Sequence, residues 1–109
     1  MNEPEESLRE RLNGETARTP WRNLLRFFAS GSVIAVEDGL DLVEVAMRFA
    51  NDDKIAVAAW LQAGRIGKVS DEQAAAWVEA DAELWTVVVK PWLLVQRHKQ
   101  RPHAYGPPH

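Results

Sequence analysis

The side chains best suited to catalysis in this sequence are its histidines, which could act as bases beside a hydroxyl nucleophile. A serine or threonine nucleophile needs such a base held within hydrogen-bond distance. The three histidines, His98, His103 and His109, all lie in a C-terminal segment that also contains three prolines. A segment of this composition is expected to be disordered and cannot hold a base in place. We therefore expect no serine–histidine enzyme.

The sequence indicates a metal site or an acid–base catalyst no more strongly than it indicates a serine–histidine enzyme. The histidines are spaced by five and six residues outside any predicted element, whereas structural metal sites hold their ligands on folded elements. Asp52 and Asp53 could hold Mg²⁺, but their place between two helical segments favours helix capping. Four more acidic residues surround a turn and a helix start, where they favour the helix dipole: Glu37, Asp38, Asp41 and Glu44. With no cysteine in the chain, we predict no catalytic residue, metal or cofactor.

Basic residues are the remaining candidates, and nucleic acid is the ligand that they would bind. The net charge of −3 conceals a −7 segment over residues 37–83 and a +4 segment over residues 84–109. Phosphate contacts dominate nucleic-acid affinity and need several cations. The acidic middle opposes such binding, so nucleic acid is the alternative to a protein partner. Its candidate contacts are Lys54, Arg65, Lys68, Lys90, Arg97, Lys99 and Arg101.

The length and composition of the chain indicate what class of protein carries these residues. At 109 residues, 46% hydrophobic and 27% charged, the chain is typical of one soluble globular domain. The N-terminus is acidic and has no apolar signal segment. The longest apolar run, Ile55 to Leu61, is far shorter than the roughly 20 residues of a membrane span. We expect a cytoplasmic protein with no membrane partner and no evident small-molecule substrate.

Five helices are predicted from apolar spacing and capping residues. Asp41 with Glu44, and Ser70 with Gln73, have the spacing of capping boxes. The segment from residue 53 to 63 is apolar nearly all round, which predicts a helix buried on most sides. The predicted helices cover about residues 5–13, 20–30, 42–50, 53–63 and 71–80.

Four short segments rich in β-branched residues are predicted strands: residues 33–36, 65–69, 86–89 and 92–95. The fold class is therefore α+β, with four to five short helices packed on a small, mostly antiparallel sheet. The order of elements also resembles a winged helix with an extra helix, which we keep as an alternative topology. Residues 1–17 are predicted as a polar segment with a short helix, 18–96 as the domain, and 97–109 as a disordered tail.

The predicted strand pair is apolar on both faces, so one face needs a second covering layer. Helices or a partner subunit could supply that layer. Trp85 and Trp92 flank the valine run, and tryptophan is enriched at binding hot spots. We therefore predict a protein interface at Trp85, Trp92 and Leu94. The leading hypothesis is a non-catalytic interaction module that binds a protein partner or forms a homodimer.

The most distinctive stretch of the sequence is the Leu-Trp, triple-valine and Pro-Trp run over residues 83–96. Together with residues 21–31, 40–46, 60–64 and 69–77, this run resembles a bacterial family known as domain of unknown function 2288. The resemblance covers roughly residues 8–96. It implies a small bacterial cytoplasmic protein, and it supplies neither an activity nor any catalytic residue.

Overall fold

A five-stranded mixed sheet organises the fold in a computed structural model that describes residues 4–98. The order of the strands across the sheet is β1-β4-β5-β2-β3. Only the β2–β5 pair is parallel, and the other three pairs are antiparallel. The predicted α+β class with a mostly antiparallel sheet is therefore confirmed. The strands are β1 (Ala17–Pro20), β2 (Val33–Val36), β3 (Ile66–Lys68), β4 (Glu83–Val89) and β5 (Trp92–Gln96).

The helices follow the predicted order, but only one of the two predicted capping boxes is complete in the described chain, because the carboxylate of Glu44 binds two arginines instead of the N–H of Asp41. Asp41 accepts hydrogen bonds from the N–H groups of Val43 and Glu44, and Ser70 with Gln73 forms a complete capping box. The segment predicted as one helix over 20–30 is instead a 3₁₀ turn over Trp21–Leu24 followed by a short α-helix. The helices are α1 (Glu5–Glu15), α2 (Leu25–Ala29), α3 (Leu42–Ala50), α4 (Lys54–Gln62) and α5 (Asp71–Glu79).

Helices pack on both faces of the sheet and enclose two apolar clusters. Leu94 of β5 lies in the first cluster with residues of α1 and α3. Its neighbour Leu93 points to the other face and lies in the second cluster, as strand alternation requires. There Trp21 and Trp77 pack edge to face with ring centroids 5.0 Å apart. Helices of the same chain thus cover both apolar faces of the β4–β5 strand pair.

The first helix belongs to the same domain as the sheet. Leu8 and Leu12 are buried in the first cluster with α3, so the predicted boundary at residue 18 does not separate two packing units. Of the predicted disordered tail, residues 99–109 lie outside the described residues.

The winged-helix alternative shares only part of its topology with the observed fold. The helix pair α3–α4 is followed by a strand, as that alternative expected. However, β3 pairs with β2 and leads into α5. The hairpin that forms a wing directly after the helix pair is therefore absent from residues 4–98.

Two helices end on a glycine in the left-handed region, at φ +78° for Gly31 and +73° for Gly64. After Gly64, the N–H of Arg65 donates to the carbonyl of Trp60 at 2.9 Å. This is the bond of a Schellman cap, which favours glycine at the left-handed position. The helix–glycine–strand connection is thus used twice, before β2 and before β3.

A buried glutamine ties β5 to the loop that leads into α3. The Nε2 atom of Gln96 donates to the carbonyl oxygens of Glu37 and Leu40 at 2.8 and 2.6 Å. The residue is 1% exposed, and within residues 4–98 its Oε1 has no hydrogen-bond partner. This clamp fixes the start of α3, and with it the helix pair described next.

Candidate functional site

Helix α4 is the most apolar exposed feature of the described chain. Its residues from Ile55 to Leu61 include no charged or polar side chain, yet none of the nine residues of the helix is buried. Ile55 is 84% exposed and Leu61 is 50% exposed. The prediction that this helix is buried on most sides is therefore wrong. The physical reason is that α4 packs mainly against α3 and the edge strand β3, so that its remaining sides face solvent.

The three sides of α4 have different surroundings. Val57 and Trp60 pack against the first apolar cluster. A second side faces a groove. The third faces solvent with four exposed residues at the i, i+3, i+4, i+7 spacing of one helix face. We call these residues the outer stripe: Ile55, Ala58, Ala59 and Gln62.

The groove lies between α4 and the end of the sheet where β5 begins. Its volume is about 500 Å³, which is within the range of small-molecule sites. Its apolar walls are Ile34, Phe49, Val57, Ala58, Leu61, Pro91 and Trp92. Its charged residues are Arg48, Asp52, Asp53, Lys54, Lys68 and Lys90. We call this site the basic groove.

The charges of the basic groove differ in whether they are paired. Arg48 binds Glu44 at 2.7 Å and lies 3.6 Å from Asp53, and the hydrogen bond and charge of Glu44 raise the pKa of Arg48. Lys54 lies 3.9 Å from Asp52.

The two lysines on the sheet side have no such partner. Within residues 4–98, no carboxylate pairs with Lys68 or Lys90. The Nζ atom of Lys68 lies 6.0 Å from the ring centroid of Trp92. The groove therefore presents two cations available to an anion beside an aromatic wall.

The structure divides the predicted nucleic-acid contacts between two ends of the sheet. Lys54, Lys68 and Lys90 meet at the basic groove. Arg65 precedes β3 at the opposite end from Lys68 and pairs with Glu37. Arg97 follows β5 near the same end as Arg65. The other two predicted contacts, Lys99 and Arg101, lie outside the described residues.

The predicted protein interface on the strand pair is mostly internal. Leu94 is 0% exposed and offers no surface to a partner, because helices cover its face of the sheet. Trp85 is half-buried, with the guanidinium of Arg18 5.7 Å from its ring centroid. Only Trp92 reaches a candidate site, as a half-buried wall of the basic groove.

The acidic cluster around α3 is held in ion pairs. Glu44 accepts a hydrogen bond from Arg9 at 2.6 Å and a second from Arg48. Burial raises the pKa of Glu44, but the hydrogen bonds and charges of Arg9 and Arg48 outweigh it and lower the pKa below its ordinary value. Asp41 caps α3 and lies 3.6 Å from Arg9. These carboxylates therefore hold α1 against α3.

Two classes of site are not found in the described part of the chain. Among residues 4–98, no three histidine, aspartate or glutamate side chains are grouped closely enough to hold a metal ion. None of the helices in that range has the length and apolar composition to cross a membrane.

Comparison with known proteins supports the predicted family resemblance. The family model described as "Protein of unknown function (DUF2288)" matches residues 7–97. The solution NMR structure of PA1075 from Pseudomonas aeruginosa is similar, with 41% sequence identity and a TM-score of 0.76. That similarity covers 100% of this chain and 97% of the other. No curated protein matches significantly.

Proposed function

The chain belongs to the DUF2288 family of proteins of unknown function, and we propose that it is a non-catalytic binding module that works as a homodimer. Helix α4 is the surface that joins the two copies. The observation that carries this proposal is the exposure of an apolar helix none of whose residues is buried. Such helices are typical of association surfaces.

A second copy of the chain is the occupant that the chemistry of the outer stripe favours. In a two-fold dimer the same patch meets itself, so any charge on it meets a like charge. No charged residue lies between Lys54 and Arg65, and the stripe therefore pairs with itself without repulsion. Ala58 and Ala59 are small enough to let two helices approach closely. The basic groove, by contrast, would bring its lysines against their own copies.

The size of the stripe sets the strength that we expect. A nine-residue helix is about 13.5 Å long. One face of it covers less than the roughly 800 Å² per partner of a standard interface. The proposal is therefore a reversible dimer with a dissociation constant of about 1–100 μM.

Sedimentation equilibrium over a concentration series tests the proposal. We expect monomer at low concentration and dimer at high concentration. Ile55→Glu places two carboxylates at the interface and should abolish the dimer. Val78→Glu is the matched control, because Val78 is also exposed, at 57%, and lies on α5, at the other face of the sheet. A monomer at all concentrations, or equal effects of the two variants, would refute the proposal.

Nucleic-acid binding is the second candidate, and the observation in its favour is the grouping of three lysines at the basic groove. It has less support than the dimer. The described cations are split between two ends of the sheet, whereas nucleic-acid binding uses a continuous row of phosphate contacts.

A further inference from the structure

We propose that the basic groove binds a small organic anion with an apolar body, such as a medium-chain or aryl carboxylate. The proposal rests on the shape, walls and charges of the groove, and it is independent of the dimer. The volume of about 500 Å³ accommodates a molecule of this size.

The apolar walls of the groove would contact the apolar body of the ligand. The residues lining the groove include Phe49 of α3, Leu61 of α4 and Trp92 of β5, so three elements of the fold contribute. Leu61 is half exposed. Burying such side chains against an aliphatic or aromatic body is favourable in proportion to the area removed from water.

The two lysines without a carboxylate partner in the described chain would bind the acidic group of the ligand. Lys68 and Lys90 lie on the sheet side of the groove without a carboxylate partner in the described chain. Arg48 and Lys54 on the helix side are engaged by Glu44, Asp53 and Asp52. An anion is therefore expected to sit at the sheet side, where these two lysines match its charge. Hydrogen bonds between ions are stronger than neutral ones.

The groove and the outer stripe are separable by mutation. Val57 and Leu61 line the groove, whereas Ile55 and Ala59 point to solvent on another side of α4. Only Ala58 belongs to both. A variant that removes the dimer therefore leaves the groove intact, and the two proposals can fail independently.

The test uses three probes on the full chain, followed by ¹H–¹⁵N chemical shifts and tryptophan fluorescence. Decanoate carries both parts of the predicted ligand, 1-decanol only the apolar body, and inorganic phosphate only the charge. We expect saturable shifts around Trp92 and Lys68 with decanoate, and affinities at least about tenfold weaker for the other two. Equal binding of decanoate and decanol, or no saturation at about 1 mM decanoate, would overturn the proposal.

Charge variants locate the site. Lys68→Gln combined with Lys90→Gln should weaken decanoate binding about tenfold or more, since each lysine provides a charged hydrogen bond. Arg26→Gln is the control, because Arg26 lies on α2, at the opposite face of the sheet. Leu61→Ala should weaken decanoate more than butyrate. An unchanged affinity in the double lysine variant, or groove shifts produced by a short oligothymidylate and not by decanoate, would contradict the assignment.

Discussion

The buried glutamine at the end of β5 gives the sharpest stability prediction. Replacing Gln96 with leucine removes two hydrogen bonds, to the carbonyl oxygens of Glu37 and Leu40. The carbonyl of Glu37 also accepts from the N–H of Leu40 at 3.1 Å, so it keeps one partner. The carbonyl of Leu40 is left without the bond that Gln96 supplied.

The magnitude follows from these contacts. Two hydrogen bonds contribute about 1 kcal/mol each, and an unsatisfied buried acceptor costs a further 1–3 kcal/mol or so. Removing the buried Oε1 of Gln96, which has no partner in the described chain, stabilises the folded state by about 1 kcal/mol. We therefore expect Gln96→Leu to lower the free energy of unfolding by about 2–4 kcal/mol, which corresponds to a Tm roughly 8–32 °C lower.

A second variant at the same position tests whether the hydrogen bonds of Gln96 account for the lost stability. Gln96→Glu places a carboxylate against two carbonyl oxygens, which raises its pKa in the folded chain. Because the pKa of this carboxyl is higher in the folded than in the unfolded chain, the variant is destabilised at neutral pH. The destabilisation becomes smaller as the carboxyl is protonated. Urea unfolding followed by tryptophan fluorescence should show its deficit shrinking from pH 7 towards acid. If Gln96→Leu lies within about 0.5 kcal/mol of the wild type, or if the deficit of Gln96→Glu does not change with pH, the clamp is refuted.

Three further predictions test the helix ends, the ion pairs and the alternative function. Gly64→Ala should cost about 1 kcal/mol through its positive φ alone, because its new Cβ meets nothing within 4 Å. Gly14→Ala, equally open but inside α1, should instead stabilise by roughly 0.5–1 kcal/mol, and equal signs in thermal melts would contradict this reasoning. Because the pKa of Glu44 is lowered, its pairs stabilise the fold above the ordinary carboxyl pKa and stop doing so as pH falls through the lowered value. Glu44→Gln should therefore cost about 1 kcal/mol at pH 7 and progressively less in acid, and a pH-independent difference in urea midpoints would argue against it. At low salt, fluorescence anisotropy of a labelled oligonucleotide should show no binding at about 10 μM protein, and tighter, salt-sensitive binding would favour the nucleic-acid function.

Local signals in the sequence predict most of the elements. Ser70 and Gln73 are three residues apart, so their capping box depends on nothing distant in the chain. The strand over 33–36 is equally local, because its four residues are all apolar or β-branched. The parallel pairing of β2 with β5 joins residues about 60 apart, and no pattern along the chain encodes it.

The exposure of α4 could not be predicted from the sequence, because apolar residues on all sides are typical of a buried helix and an interaction surface is indicated only once the apolar residues are seen to be exposed. What decides the exposure is tertiary packing, since α4 contacts mainly α3 and the edge strand β3 and its outer stripe is exposed in the described chain. The sequence predicts the lysines of the basic groove as nucleic-acid contacts, and their meeting with Trp92 depends on the sheet order. Leu94 was assigned to an interface because the helices that cover it could not be placed from sequence.

A cysteine placed on the outer stripe tests the homodimer most directly. The chain has no cysteine of its own, so Ala59→Cys introduces a single thiol. A disulfide needs Cβ atoms about 3.5–4.5 Å apart, so the two thiols can pair only if α4 meets its own copy near Ala59, as the proposed dimer requires. The control is Ala76→Cys, on the exposed side of α5. The account predicts rapid oxidation of Ala59→Cys to a covalent dimer and little for the control, and equal slow rates for both would contradict it.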